Sequence, residues 1–390
     1  MLNRTPPPSH PESPLDYVLS ERGITQGNDV ALLPGGAEAF PAMLAAIRVA
    51  TVEVLLESYI FADDETGRAF LAALREAAGR GVAVRLIVDG AGSLALSVGR
   101  LAELERAGGM AMVYRPIAPW RARWGIWRRD HRKLLIVDRT IGFLGGLNIA
   151  NEYDETTHSD RLWRDLHVRV EGPAAQALAA LFIRTWNGEN ERTRWLTPVV
   201  EGAARSRGTA AVQVVGNDGL RSRSLIRRSF LYAVKRAQRA VYIANPYFIP
   251  DRHVSRALRR AARRGVEVRV VIPARSDILL TDLACRAALP ALMRDGVHIA
   301  EWQAGMMHAK AASVDGRWAT VGSYNLDHRS FRYNLEANAN LIDAQLAALV
   351  EDRLRADFNA SFELDLASFE NRPLFLRAVE ALAYRLRAWL

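Results

Sequence analysis

His131 and Lys133 are followed by Asp138, Gly145, Gly146 and Asn148, and His308 and Lys310 are followed by Asp315, Gly322, Ser323 and Asn325 at the same intervals. The chain has 52 basic residues, yet only Lys133, Lys235 and Lys310 are lysines. Arginine serves almost everywhere else, so two of the three lysines fall inside the repeated pattern. A compact ammonium two residues from an imidazole is therefore being specified, since lysine and arginine differ in geometry and hydration.

These residue types suit the exchange of a phosphodiester, which is anionic and resists anionic nucleophiles. A neutral imidazole can attack phosphorus and form a phosphohistidine. A second, protonated imidazole can donate to the leaving oxygen and then take the proton of an incoming hydroxyl. Lys133, Lys310, Asn148, Asn325 and Ser323 could hold the non-bridging oxygens without a metal. Gly145, Gly146 and Gly322 would let the backbone come close to the phosphate. No Cys/His or carboxylate cluster has metal-ligand spacing, so neither metal nor organic cofactor is expected.

The elements that must position these groups are themselves repeated. Val52–Phe61 and Ala240–Ile249 read as buried strands, and helices over Thr66–Ala78 and Val254–Arg263 follow them. Arg80-Gly81 and Arg264-Gly265 end those helices, and Val82–Asp89 and Val266–Pro273 are the next strands. Lys133–Val137 and Ala311–Val314 read as strands closing at Asp138 and Asp315, with returning strands over Thr140–Leu144 and Trp318–Val321. Histidine and lysine two apart on a strand share a face, so both can address one group. Apolar strands alternating with amphipathic helices predict an α/β fold with sheets covered on both faces.

Division near Glu201–Thr209 gives a disordered lead over 1–27, a first domain over 28–200, a linker over 201–210 and a second domain over 211–390. The net charge of +9 and pI near 10 suit an anionic partner, although general arginine richness explains them equally well. Lone Cys285 sits in an apolar stretch and reads as a packed thiol. No run approaches a membrane span, and the best candidate, Ile278–Met293, is broken by Asp282, Arg286 and Pro290. The run Phe369–Leu390 reads as a helix with Leu374, Phe375, Ala378, Ala381, Leu382 and Leu386 on one side and arginines on the other. Docking on the second domain is the simpler expectation for it, and lying on an anionic bilayer is the alternative. Trp120–Arg129, just ahead of His131, mixes three tryptophans with arginines, which suits a membrane interface or a stacking surface. His10, His158, His167, His253, His298 and His328 read as packing, loop or terminal residues.

With both motifs complete, the chain resembles the phospholipase D superfamily over roughly residues 28–390. Asn245–Asp251, Arg164–Pro173 and Asn325–Phe331 make it most similar to bacterial cardiolipin synthases, of the shorter B-type that lacks paired N-terminal membrane spans. That resemblance implies two phospholipase D-like α/β/α sandwich domains related by pseudo-twofold symmetry, with the active site at their interface. It implies His131 as nucleophile and His308 as general acid/base, with Glu336 orienting His131 and Asp165 orienting His308. Asp138 and Asp315 belong to the catalytic motifs, as braces of their hairpins rather than proton carriers. The implied activity is phosphatidyl transfer between phospholipids, with phosphatidylglycerol as donor and acceptor, at the cytoplasmic side of the inner membrane and peripheral to it. Hydrolysis of a phospholipid, or nuclease action on a nucleic acid by the same chemistry, is the alternative; the flanking text disfavours nucleic acid as the partner.

Overall fold

The computed structural model describes residues 11–117, 128–154, 156, 162–189, 196, 205–217 and 224–387. In the first half the strands are β1 (Ile24–Pro34), β2 (Glu53–Ser58), β3 (Ala83–Asp89), β4 (Met110–Tyr114), β5 (Lys133–Val137), β6 (Ile141–Gly145), β7 (Trp163–Arg164) and β8 (Leu166–Glu171). In the second half they are β9 (Ala210–Gly216), β10 (Ala240–Ala244), β11 (Glu267–Pro273), β12 (Val297–Trp302), β13 (Met306–Met307), β14 (Ala311–Val314), β15 (Trp318–Gly322), β16 (Ala337–Leu341) and β17 (Phe362–Glu363). The helices are α1 (Gly36–Arg48), α2 (Glu65–Gly79), α3 (Val98–Arg106), α4 (Pro173–Glu189), α5 (Leu225–Arg236), α6 (Arg252–Arg263), α7 (Leu279–Met293), α8 (His328–Arg332), α9 (Ala344–Asn359), α10 (Leu366–Glu370) and α11 (Leu374–Arg385).

Read from one edge, the first half runs β4-β3-β2-β5-β6-β8-β1 and the second runs β12-β11-β10-β14-β15-β16-β9. The two orders match strand for strand, and antiparallel pairing of β1 with β9 joins them into one 15-stranded sheet with β17 at its edge. The period-2 alternation of a strand sorts side chains between cores. In β5, Leu135 and Val137 enter a core private to the first half, whereas Leu134 and Ile136 face a central one. In β10, Val241 and Ile243 enter the second half's core, while Ala240, Tyr242 and Ala244 turn to that same central cluster. Helices α4 and α9 fill the centre with Leu178, Phe182, Val350 and Leu354. The central core thus belongs to both halves, and neither presents a free inner face.

Gly81 and Gly265 follow α2 and α6 at φ +89° and +87°, the left-handed conformation that ends each helix before its strand. The lead differs from expectation. From residue 11 onward it is ordered: a short 3-10 turn over Pro14–Tyr17 is capped by Ser13, and β1 has begun by Ile24. Tyr17 is buried in the second half's core, and its hydroxyl donates to Asp315 over 2.6 Å. The segment is poor in apolar residues, but these long-range contacts supply what its own sequence does not. Residues 197–204 of the expected boundary, like residues 1–10, lie outside the described residues.

Helix α11 packs against α7, but not by the expected side. It buries Ala383 and Glu380, the latter held by Arg372 through two hydrogen bonds of 2.6 and 2.9 Å. Leu374, Phe375, Val379 and Leu382 face outward, with Leu374 78% exposed. Ala383 joins the second half's core, Glu380 pairs with Arg372 of the α10–α11 connection, and the apolar stripe stays uncovered.

Candidate active site

Two short parallel contacts between the halves build the site. Asp130 bridges Leu335, and the His131 N–H donates to the Leu335 carbonyl over 3.0 Å. Strand β13 pairs with β7, and the His308 N–H donates to the Arg164 carbonyl over 2.7 Å. Each histidine is thus registered beside the residue that precedes an acid of the opposite half. Glu336 Oε2 lies 3.1 Å from His131 Nδ1, and Asp165 Oδ2 lies 2.5 Å from His308 Nδ1. With Nδ1 donating to a carboxylate, each Nε2 carries a lone pair.

Both imidazoles line a cavity of ≈ 390 Å³ between the halves, together with Asn148, Asn325, Tyr59, Tyr247 and Trp163. The rings are held by aromatic edges. Tyr59 packs on His131 at 4.9 Å between centroids, and Trp163 and Tyr153 pack on His308 at 4.8 and 5.4 Å. Asn148 is fixed by Tyr153, to whose hydroxyl its Nδ2 donates over 2.6 Å, and by the Ile60 N–H at 3.1 Å. Asn325 keeps its buried Oδ1 without a hydrogen-bond partner among the described residues.

The half-sites are electrostatically unequal. Burial works against the Glu336 charge, yet His131, Lys133 and the Ser323 hydroxyl together hold its carboxyl below the usual range. Burial raises Asp165, with Lys310 opposing. His131 is lowered to about 4 by burial, against the pull of Glu336, so its ring is neutral near pH 7. His308 is lowered by burial and by the nearby Lys310, Lys133 and His131. Lys310 Nζ also comes within 2.6 Å of His308 Nδ1. That nitrogen cannot donate to Asp165 and accept from Lys310 at once, and we take the carboxylate as its partner because an ionised acid is the stronger acceptor.

Several expected site residues stand elsewhere. Lys133 and Lys310 are buried and donate back to the carbonyls of His131 and His308, so neither lines the cavity. Burial and mutual repulsion lower Lys133 to about 7, and burial lowers Lys310 to about 8. Ser323, expected on phosphate, donates to Glu336 instead. Ser330 and Asn334 donate to the same carboxylate over 2.7 and 3.4 Å. The glycines are needed for strand contact rather than for phosphate: a Cβ on Gly146 would sit 2.1 Å from Asp165 Oδ1, and one on Gly322 2.3 Å from the Ala337 carbonyl.

Asp138 and Asp315 lie at the far ends of β5 and β14, away from the cavity, at φ +50° and +56°. Asp138 accepts from the amides of Thr51, Val52 and Glu53 at 3.0, 2.8 and 2.9 Å, and from the Thr51 hydroxyl. Asp315 accepts from the amides of Gln238, Arg239 and Ala240, each at 2.8 Å. Each aspartate therefore clamps the start of the strand, β2 or β10, that leads to Tyr59 or Tyr247. Asp138→Ala should lower stability by about 1–2 kcal/mol, because three largely exposed amides at the start of β2 lose a charged acceptor. Chemical denaturation reads this, and the folded fraction should keep its activity per molecule.

His167, in β8, is buried with both ring nitrogens unpartnered among the described residues, and burial lowers it to about 4 despite Asp165. A depressed histidine gives its full stability above its ordinary value of 6.5, and that stability is lost as pH falls toward 4. Lowering pH from 7 to 5 should cost about 2 kcal/mol from this residue alone. The denaturation midpoint across that range measures it, and His167→Asn should flatten the slope.

Sequence reasoning missed Tyr59 and Tyr247, although the signal was present. They lie one place apart in the repeat, since the pairing of β2 with β5 and of β10 with β14 aligns Tyr59 with Pro246 and Ile60 with Tyr247, yet both reach the cavity. In the sequence Arg129 stands out only as part of the basic segment before His131; Trp120–Trp127 of that segment lie outside the described residues. Trp163, Asp277, Asp327 and Arg329 have no repeat partner and arrive only through tertiary contact.

A family model described as cardiolipin synthase, phospholipase D-like domain, matches residues 43–186 and 230–358. The probable cardiolipin synthase YwiE of Bacillus subtilis is 33% identical over 371 residues, covering 92% of this chain and 72% of that protein. A cardiolipin synthase of Geobacillus kaustophilus is 34% identical, covering 97% of this chain and 75% of its own length. The crystal structure of a phosphatidylserine synthase from Haemophilus influenzae superposes with a TM-score of 0.70 at 14% identity over 96% of both chains, a likeness of fold. With the model matched in both halves and relatives aligned along nearly the whole chain, this protein belongs to the phospholipase D-like cardiolipin synthase family.

Proposed function

We propose that this protein makes cardiolipin by phosphatidyl transfer between two phosphatidylglycerols, through a phosphohistidine on His131. The observation that carries the proposal is the pair of imidazoles in one cavity, each held by the acid of the opposite half. His131 Nε2 attacks the donor's phosphorus as the bond to the glycerol oxygen breaks, and His308 gives that oxygen its proton. A primary hydroxyl of the second phosphatidylglycerol then gives its proton to His308 while its oxygen attacks phosphorus and frees His131. The products are cardiolipin and glycerol. Burial disfavours protonated His308, but a bound phosphodiester places an anion beside it and favours the imidazolium. The side chains of Asn325 and Asn148 line the same space, and their amide N–H groups suit the non-bridging oxygens.

The protein would work peripherally, on the cytoplasmic side of the inner membrane. No helix of the described residues is long and apolar enough to cross a membrane. Ile278 lines the cavity and is 47% exposed, Leu279 beside it is 72% exposed, and α11 next to α7 turns its apolar stripe outward. Apolar side chains at the rim beside arginines suit an anionic bilayer surface. The test is expression in a bacterial host lacking cardiolipin, with lipid chromatography. Cardiolipin should appear with the protein, and its absence would overturn the proposal.

A further inference from the structure

The lysines of the two motifs face their own backbones, so among the described residues the cations that line the cavity beside the histidines are Arg129 and Arg329. Arg129 is 2% exposed; its Nη1 donates to the Arg115 carbonyl over 2.9 Å and lies 3.6 Å from Asp89. Its Nε is buried without a hydrogen-bond partner among the described residues. Arg329, on α8, comes from the other half, and no side-chain hydrogen bond or ion pair holds its guanidinium among the described residues. Both lie within electrostatic reach of Tyr59, the ring that packs on His131. Two guanidinium groups with free N–H donors thus sit beside the nucleophile, in excess of what the lysines and asparagines offer a single phosphate.

Resting on the phosphatidylglycerol reading above, we propose that Arg129 and Arg329 form a second anion seat, which receives the phosphate carried by the acceptor alcohol. The acceptor's attacking hydroxyl and its own phosphate are the two ends of one glycerol, so the second phosphate must lie a glycerol's length from the phosphorus on His131. Arginine is the residue suited to it, because its planar fork meets phosphate oxygens two at a time. The same cavity is lined by Asp277, which accepts from Tyr247 at 2.8 Å, and Asp327, which caps α8 through the Ser330 N–H at 2.7 Å. Carboxylates lining the same cavity suit the free hydroxyl of the acceptor's glycerol. The seat therefore selects a phosphate-bearing alcohol over water or free glycerol. In reverse it steadies phosphatidylglycerol as the leaving group from cardiolipin.

Phosphatidylglycerol vesicles with radiolabelled free glycerol test the seat, because one reaction reports two acceptors. Cardiolipin formation needs the second phosphate, whereas label entering phosphatidylglycerol needs only donor cleavage and return. Arg329→Gln, on a partly exposed helix, should lower the ratio of cardiolipin formed to glycerol exchanged about tenfold or more, the loss of one charge-assisted contact. Arg129→Gln should do the same, and Arg329→Lys should restore part of the ratio. If the buried Arg129 variant fails to fold, Arg329→Gln decides. A ratio unchanged in Arg329→Gln, whether both products persist or fall together, overturns the seat and leaves the two-histidine reading standing. A wild-type protein that forms neither product overturns the functional reading itself, and the seat with it.

Discussion

His131→Ala is expected to abolish cardiolipin formation, by about ten-thousand-fold or more, since a nucleophile has no substitute in a covalent mechanism. The fold should survive. Removing the ring leaves the Glu336 carboxylate with Ser323, Ser330 and Asn334 as donors. The stability cost should be about 2 kcal/mol, for one charged hydrogen bond and some packing against Tyr59. Mass spectrometry of acid-sensitive phosphorylation gives the complementary reading. Wild-type protein quenched during turnover should carry a phosphatidyl group on His131, and His131→Ala should carry none. Because burial lowers His131 to about 4, the ring is already unprotonated well below neutrality. The activity should therefore show no acid limb from His131 between pH 5 and pH 8; a limb there that vanished in a variant retaining His131 would belong to another group. A His131→Ala protein that still made cardiolipin would overturn the assignment.

Asp165→Asn should be nearly as damaging, at about a thousandfold or more in turnover, and for a different reason. Asp165 is completely buried between His308 and Lys310, at 2.5 and 3.6 Å. An amide there cannot stabilise the imidazolium that must form when His308 takes the acceptor's proton, and it can fix the wrong tautomer. It also leaves the Lys310 ammonium buried without its counter-charge, which should cost about 3 kcal/mol or more in stability. Leaving-group chemistry separates the proton-transfer role from a structural one. A phosphatidyl ester of p-nitrophenol departs without a proton, so release of nitrophenolate in the first turnover should be largely restored in Asp165→Asn. It should remain absent in His131→Ala. Equal loss on both substrates would assign Asp165 to the scaffold alone.

The repeat was legible because chemistry and folding impose the same spacing twice. Lys133–Val137 and Ala311–Val314 form strands as expected, and Gly81 and Gly265 end their helices in the left-handed conformation. Period-2 alternation placed the strand residues without any knowledge of what they would meet. The side-chain destinations were less legible. Lys133 shares a face with His131, but whether its ammonium points to substrate or to the His131 carbonyl depends on the space left by Tyr59 and Glu336. The rotamer, not the register, decides that. Ser323 and Gly146 look like phosphate contacts in the linear pattern, because nothing local reveals that Glu336 and Asp165 arrive against them from neighbouring strands.

By itself the sequence determined a doubled α/β unit and paired imidazoles for phosphodiester exchange, since strand alternation, helix endings and motif spacing are local properties. Only the tertiary structure decided how the halves complete one another. Parallel bridges at Asp130–Leu335 and β7–β13 set which acid meets which histidine, and no spacing within either half encodes a contact between them. The same long-range packing turned the aspartates of both motifs into clamps on β2 and β10, ordered the N-terminal turn around Tyr17, and exposed the apolar side of α11. In each case the deciding term is burial against a partner distant in sequence, a quantity that residue order states only after the chain has closed on itself.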